Sequence, residues 1–376
     1  MRSVLTRAER LVAASAASVL VVAVISTSYA DSAARVTTVA DVTTTTASPS
    51  PTRAVAGPVV PSPKAAPKPK PAVPGALPAV PAAPTPPQAG CPVPKKHPSS
   101  WTPRPLRPPA VADAALPATL PPRAKATSLD AITGKGIWLT NWAKDDVDIP
   151  GTIAKAKKAG LTSIWVRSGG SRQGYYGGRV LPKLVPAAHR AGLKVVAWDF
   201  PFLSDPVSDV VRAHKALNTG IDAFAPDIET AAEGTHVSTR RIQLYLSLVR
   251  SVAGGRPIAA TIPRPTPKNL KGFPYAAFAP YADVFVPMVY WSCNEPGLVT
   301  IKSIRTLSRW LPVAPVGQAY DMAEDGGRAG LPTRAETWRF LDSARRAGAI
   351  GASLWTMETI GKGQWSALSA YPWLGR

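Results

Sequence analysis

The stretch Gly220-Ile221-Asp222-Ala223-Phe224-Ala225-Pro226-Asp227-Ile228-Glu229-Thr230 decides how the rest of this 376-residue chain is read. A glycine that can stop a helix, a short apolar run and two carboxylates in succession make the turn, strand and exit of one β/α unit. On a strand, residues i and i+2 point to the same side with Cα atoms roughly 6.6 Å apart. Asp227 and Glu229 therefore share a face. Like charges held that close raise one another's pKa and are costly to keep together, so a site that uses both acids explains them better than a structural role does.

The same texture recurs on either side. Short apolar, β-branched runs at 136–140, 163–167, 194–199, 223–227, 257–262, 284–290, 313–318 and 352–356 predict eight strands. Helices with start and stop signals are expected over 150–159, 181–191, 206–217, 238–253, 301–310 and 333–347. Three of them approach the next strand alike: Lys158-Ala159-Gly160-Leu161, Arg190-Ala191-Gly192-Leu193 and Arg346-Ala347-Gly348-Ala349. In each, glycine takes the left-handed cap and the next apolar residue returns to the core. Eight β-then-α units in about 240 residues predict an α/β fold of (β/α)8 TIM-barrel type over 130–376. An open doubly wound sheet is the alternative, but no glycine-rich phosphate loop follows the first strand.

The preceding chain is of another kind. Arg2, Arg7 and Arg10 stand before an apolar run from Leu11 to Ile25, and Ser28-Tyr29-Ala30 offers small residues for cleavage. Residues 1–30 thus read as a signal peptide, with an uncleaved anchor as the alternative. The protein is expected to be secreted or associated with the cell envelope. Residues 31–90 are low-complexity Thr, Pro, Ala and Lys, such as Pro67-Lys68-Pro69-Lys70-Pro71. That composition predicts a disordered, extended stalk that could reach roughly 180 Å at about 3.1 Å per residue. Residues 91–129, still proline-rich, are expected to pack on the barrel. The two cysteines, Cys91 and Cys293, are expected to form a disulfide in an exported protein, two free thiols being the alternative.

The formal net charge is +21, divided almost evenly between the halves: residues 1–129 hold 14 Lys/Arg against 4 Asp/Glu, and residues 130–376 hold 30 against 19. A basic exterior suits anionic partners, here an anionic wall polymer contacted by the stalk. No nucleic-acid motif is present, and no nucleic acid is expected as partner. None of His97, His189, His214 and His236 falls at a strand end. No metal-ligand spacing or Ser-His-Asp order is found, so neither a metal nor a cofactor is expected.

In such barrels chemistry sits at the C-terminal strand ends. The first strand ends in Asn141 and Trp142, the second in Arg167, the third in Trp198 and Asp199, the fourth in Asp227 and Glu229. The fifth gives Arg264, the sixth Tyr290 and Trp291, the seventh Gln318, Tyr320 and Asp321, and the eighth Trp355 and Glu358. Flat aromatic faces stack on the apolar faces of sugar rings, amides and carboxylates bind hydroxyls, and paired carboxylates supply acid and base for glycosidic cleavage. Trp138 and Trp165 lie in mid-strand and belong to the core.

Here a resemblance enters. Asp222-x-x-Ala225-x-Asp227-x-Glu229 resembles the fourth-strand DxxDxDxE signature of family 18 glycoside hydrolases, Met288-Val289-Tyr290 is similar to their sixth-strand MxYD, and Trp355 stands where their eighth-strand Trp would be. The D-x-E also resembles the fourth strand of family 25 lysozymes, and Gly136-Ile137-Trp138-Leu139-Thr140-Asn141-Trp142 looks like a variant of that family's first strand. The chain departs from both: Ala225 and Trp291 stand where family 18 has acids, and Trp138 where family 25 has its first Asp. The resemblance implies hydrolysis of an N-acetylhexosamine glycan of peptidoglycan or chitin type. In the family 18 mapping, Glu229 would be the general acid, Asp227 and Tyr290 would orient the substrate's own N-acetyl group, and Trp355 would floor the sugar site. Asp199, Arg167, Asn141, Trp142, Trp291, Gln318, Asp321, Trp355 and Glu358 are the expected substrate contacts. A carbohydrate polymer of the cell envelope is the expected partner and a monomer the expected state. The alternative is a non-catalytic, glycan-binding barrel with a degenerate site.

Overall fold

A strand with helices over one face and the barrel interior against the other buries both sides, which is why the apolar runs are nearly continuous. The computed structural model describes residues 106–140, 147–323 and 325–373. The signal peptide, the stalk, Cys91, Asn141 and Trp142 lie outside the described residues.

The barrel strands are β1 Gly134–Leu139, β2 Ser163–Gly170, β3 Lys194–Phe200, β4 Ala223–Pro226, β5 Ala259–Pro263, β6 Val284–Val289, β7 Val316–Gln318 and β8 Gly351–Trp355. A two-residue strand, Gly174–Tyr175, is added antiparallel to the end of β2. The helices are α1 Ile149–Lys158, α2 Leu181–Arg190, α3 Pro206–Leu217, α4 Thr239–Val252, α5 Pro267–Gly272, α6 Pro296–Leu307, α7 Arg334–Arg346 and α8 Lys362–Ala370. Each follows the strand of its number. Parallel pairing runs from β4 through β3, β2, β1, β8, β7 and β6 to β5. The two ends meet where Phe224 N donates to Pro257 O at 3.0 Å and Ile228 N to Thr261 O at 2.9 Å. The sheet is an eight-stranded parallel barrel, as expected.

The three repeated helix ends behave as their sequence predicts. Gly160, Gly192 and Gly348 have φ of 62°, 71° and 86°. Leu161 N, Leu193 N and Ala349 N donate back to Ala156 O, Ala188 O and Ala344 O at 3.0, 2.9 and 3.0 Å, the bond that closes a Schellman cap. α6 begins five residues before its expected start because Glu295 caps it, accepting from Leu298 N. α5 has six residues and α8 contains Gly363, so neither offered a clear helical period. β7 is shorter than expected, with Val313 joined to Phe285 only by an isolated bridge.

Aromatic rings fill the interior. Trp138 stacks on Trp165 at 4.7 Å and meets Trp198 and Trp355 at 5.6 Å each, and Trp198 meets Trp355 at 5.1 Å. Ala223, Ala225 and Ala259 belong to the same buried cluster; such small side chains on β4 and β5 leave volume for rings from β1, β2, β3 and β8. Three of these indole N–H groups are satisfied: Trp138 donates to Ser353 Oγ (2.8 Å), Trp165 to Ser163 Oγ (3.0 Å) and Trp198 to Leu139 O (3.2 Å).

Before β1 the chain forms a strap along α4. Val111 N donates to Ser204 O (3.1 Å) and Leu120 N to Ser247 Oγ (3.2 Å). Ala126 N donates to Asp283 Oδ1 (3.0 Å), and Tyr281 Oη donates to Leu120 O (2.9 Å). Arg241, on α4, donates to Val111 O and to Leu203 O, and pairs with Asp113 at 2.6 Å.

Candidate active site

The alternation of β4 carries past its end. Ala223 and Ala225 face the interior and Phe224 the helices, so Asp227 and Glu229 take the next two inward positions. Asp227 N donates to Asp199 O at 2.8 Å and Ile228 N to Thr261 O, which keeps the backbone extended between the acids. Asp227 is 6% exposed, while Glu229 is partly exposed above it.

Asp227 Oδ1 is buried without a hydrogen-bond partner, and so is Nε of Arg167. The Arg167 guanidinium lies over the Trp198 ring, 4.8 Å from its centroid. Burial pushes the Asp227 carboxyl up to about 7; Arg167 opposes that rise, and Asp199 and Glu233 add to it. Glu229 is held well above the ordinary carboxylate range by burial, then by Asp227, Glu233 and Asp325. Two acids in mutual reach, both pushed toward the neutral form, titrate as a pair.

Tyr290 directly follows β6. Its ring meets that of Tyr320 edge-on at 5.4 Å and 86°. Its phenol is raised by burial, then by Tyr320, Asp227, Glu229 and Asp325. Tyr320 is raised by burial and by Asp325, to which it is hydrogen-bonded. β4, β6 and the β7–α7 connection therefore bring Asp227, Glu229, Tyr290, Tyr320 and Asp325 into one electrostatic neighbourhood, with Arg167 entering from β2.

Two acids that act on the pair, Glu233 and Asp325, were not anticipated. Glu233 closes a capping box with Thr230, accepting from Thr230 N at 3.1 Å; the Thr-x-x-Glu spacing was legible as a cap, not as charge near the site. Asp325 sits in the turn Asp325-Gly326-Gly327, where no periodicity gives a direction.

Other expected contacts are placed elsewhere, and period-two alternation is the usual reason. Asp199 follows the inward Trp198 and so points outward. It is buried against Arg212, with Nε to Oδ1 at 2.9 Å and Nη2 to Oδ2 at 3.0 Å. Arg212 also donates to Asp209 Oδ1 (2.8 Å), and burial lifts Asp199 to about 6 against the pull of Arg212. Trp291, next to inward Tyr290, is buried outside the barrel with its ring 5.4 Å from Phe340 of α7. Gln318 is buried and occupied, accepting from Ser292 N (2.9 Å) and donating to Tyr320 O (3.1 Å). Asp321 is exposed and accepts from Ala323 N at 2.9 Å, which lowers its pKa. Glu358 is exposed and accepts from Thr140 N at 2.7 Å. Trp355 is partly exposed at the end of the aromatic stack. Among the described residues, no group of three His, Cys, Asp or Glu side chains is arranged to hold a metal ion.

No protein-family model matches the chain, and no curated protein matches it. Similar solved structures include a chitinase from Chromobacterium violaceum (TM-score 0.49, 10% identity, 65% of this chain and 99% of that one). Others are the spore cortex-lytic enzyme SleL of Bacillus cereus (0.48, 13%, 63% and 73%) and a class V chitinase of Pseudomonas fluorescens (0.47, 14%, 63% and 98%). At such identities and scores these likenesses assign nothing to this chain beyond what its own residues support.

Proposed function

We propose that the chain is an exported O-glycosyl hydrolase acting on an N-acetylhexosamine glycan of peptidoglycan or chitin type, with the Asp227–Glu229 pair at its centre. One observation carries this reading: two successive inward carboxyls, both raised by burial and Glu229 also by Asp227, at the C-terminal mouth of a barrel with Tyr290 beside them. A raised carboxyl is what a general acid needs at neutral pH. Glu229, the more exposed of the two, protonates the glycosidic oxygen. Asp227 and the Tyr290 phenol orient the acetamido group of the sugar, which attacks the anomeric carbon in place of an enzyme nucleophile. Trp355, the exposed end of the aromatic stack, supports the sugar ring.

Export, the Pro-rich stalk and a monomeric state belong to the same proposal, as does a Cys91–Cys293 disulfide; no cysteine among the described residues is free. The rival reading is a barrel that binds glycan without cutting it, favoured by Ala225, a fully buried alanine where the family pattern has an acid. Reducing-end release from peptidoglycan and from chitin oligomers separates the two. The wild-type chain releases reducing ends and Glu229→Gln loses at least about 100-fold of that rate. Binding without any release by the wild type makes the chain a glycan-binding barrel instead.

A further inference from the structure

A cavity of about 170 Å3 opens between the end of β5 and the first turns of α6, lined by Arg264, Pro265, Thr266, Asn294, Val299 and Lys302, among others. Asp227, Glu229 and Tyr290 do not line it. It lies on the same face of the barrel, because Arg264 directly follows β5 and Asn294 precedes α6. Ala259 faces the interior, so alternation turns Arg264 outward, toward the helix layer.

Arg264 is partly buried, and its side chain makes no hydrogen bond or ion pair within the described residues. Burial lowers its pKa with no acid opposing. Three other arginines at least as well covered each meet an acid: Arg212 has Asp199, Arg250 has Asp283 and Arg328 has Glu336. An unpaired, partly desolvated guanidinium costs free energy unless something anionic meets it. Its backbone is fixed in advance. Thr266 N and Asn269 Nδ2 donate to Arg264 O at 2.8 and 2.9 Å, and Tyr275 Oη donates to Pro263 O at 2.9 Å. No acid lines the cavity, Lys302 adds a second cation at its rim, and Pro265, Pro267 and Val299 make an apolar wall.

We propose that this cavity is an oxyanion subsite that takes a carboxylate or phosphate substituent of an anionic cell-envelope glycan, with Arg264 as its principal contact and Lys302 as an accessory. A guanidinium fork matches either group through two parallel N–H···O bonds, and the apolar wall accepts the short carbon segment that carries it. The proposal rests on the reading of this barrel as glycan-binding, whether or not it cuts.

The test is equilibrium binding of the full chain to three polymers: cell-wall sacculi, the same sacculi stripped of phosphodiester polymer, and chitin. Arg264→Gln binds at least one wall preparation about tenfold more weakly than wild type, since a charge-assisted contact is lost, and binds chitin unchanged. Lys302→Gln, at an exposed position that cannot disturb folding, gives a smaller loss of the same pattern. Lys158→Gln, an equal charge change at the far end of α1, gives none. A loss confined to unstripped walls assigns the subsite to phosphate, and one that persists after stripping assigns it to carboxylate; both support it. Wild-type affinity of Arg264→Gln for both walls overturns the proposal. So does an equal loss on chitin, an equal loss from Lys158→Gln, or no wall binding by the wild type. Reducing ends released by the wild type are counted separately: none released, with the Arg264 effect present, removes the hydrolase reading and leaves the subsite standing.

Discussion

At the scale of single residues, the site is defined as much by Ala225 as by the acids. It faces the interior with no exposure, beside Trp198 on the neighbouring strand. Introducing an acid there, as Ala225→Asp, puts a carboxyl among indole rings with no donor in place. Burying an unpaired polar group costs roughly 1–3 kcal/mol, and a charge more. The variant is therefore expected to unfold at markedly lower denaturant and to gain no activity; wild-type stability together with faster turnover would show that the position is an empty catalytic slot. Asp227 allows a pH test of the same surroundings. Its folded pKa, about 7, lies above the ordinary value of 3.8. The protonated acid is thus favoured by folding: the contribution to stability is full below about pH 4 and is lost as pH rises through 7. Asp227→Asn removes that dependence. Its denaturation midpoint should match wild type near pH 4 and exceed it by pH 8, by an amount equivalent to roughly 2–4 kcal/mol. A constant difference at both pH values would contradict a buried, raised carboxyl.

At the scale of elements, the helices are fixed to the barrel by polar and steric locks whose loss can be weighed. Arg212 of α3 joins Asp199 of β3 to Asp209 of its own helix. Arg212→Met strands two buried carboxylates, and breaking a buried pair from one side costs about 3–5 kcal/mol. Because Asp199 is already raised to about 6, protonation relieves the variant, so its deficit relative to wild type should shrink between pH 8 and pH 5. A deficit that does not change with pH would mean that Arg212 acts through packing alone. On the opposite side α7 lies close to β7: a Cβ on Gly317 would stand 2.6 Å from Phe340 Cε1. Gly317→Ala should cost about 1–3 kcal/mol in thermal or denaturant unfolding. These locks explain what the sequence could and could not reveal. The Gly160, Gly192 and Gly348 caps and the Asp227–Glu229 face were legible because each is local, set by one backbone conformation or one alternation. The placement of Trp198 inside and Asp199 outside was not. Adjacent residues at a strand end offer two opposite faces, and only assembly of the Trp138, Trp165 and Trp355 rings against the β4 alanines decides which is interior. Asp325 was invisible for another reason, since a turn has no period from which to read a direction.

At the scale of the whole molecule, the barrel is not self-sufficient along α4. The strap before β1 adds partners to α4 and the start of β6: Val111 O and Asp113 for Arg241, Leu116 O for Arg240, Ala126 N for Asp283. Leu116 is itself buried in the layer between strands and helices. The strap also runs past Ser204, on the connection from β3 to α3, and past Ser247 on α4, so it ties the outer wall to the same end of the barrel that carries Asp227 and Glu229. Arg241 keeps Leu203 O and Ser204 O when the strap is removed, but loses Val111 O and Asp113, the two partners of its Nη2. Relative to a chain beginning at Leu106, which likewise lacks Cys91, one beginning at Thr127 should therefore be destabilised by about 3 kcal/mol, from the lost charge-assisted bonds and the lost burial of Leu116. For a barrel of this size that corresponds to a fall of about 6–12 °C in Tm. Arg241→Met in the full-length chain should reproduce part of the fall, because it removes the same anchor while leaving Leu116 in place. Equal Tm values for the chains beginning at Leu106 and at Thr127 would mean that residues 106–126 only lie on the wall. A truncated chain that melts early yet retains glycan binding would locate the strap's contribution in stability, separate from the site.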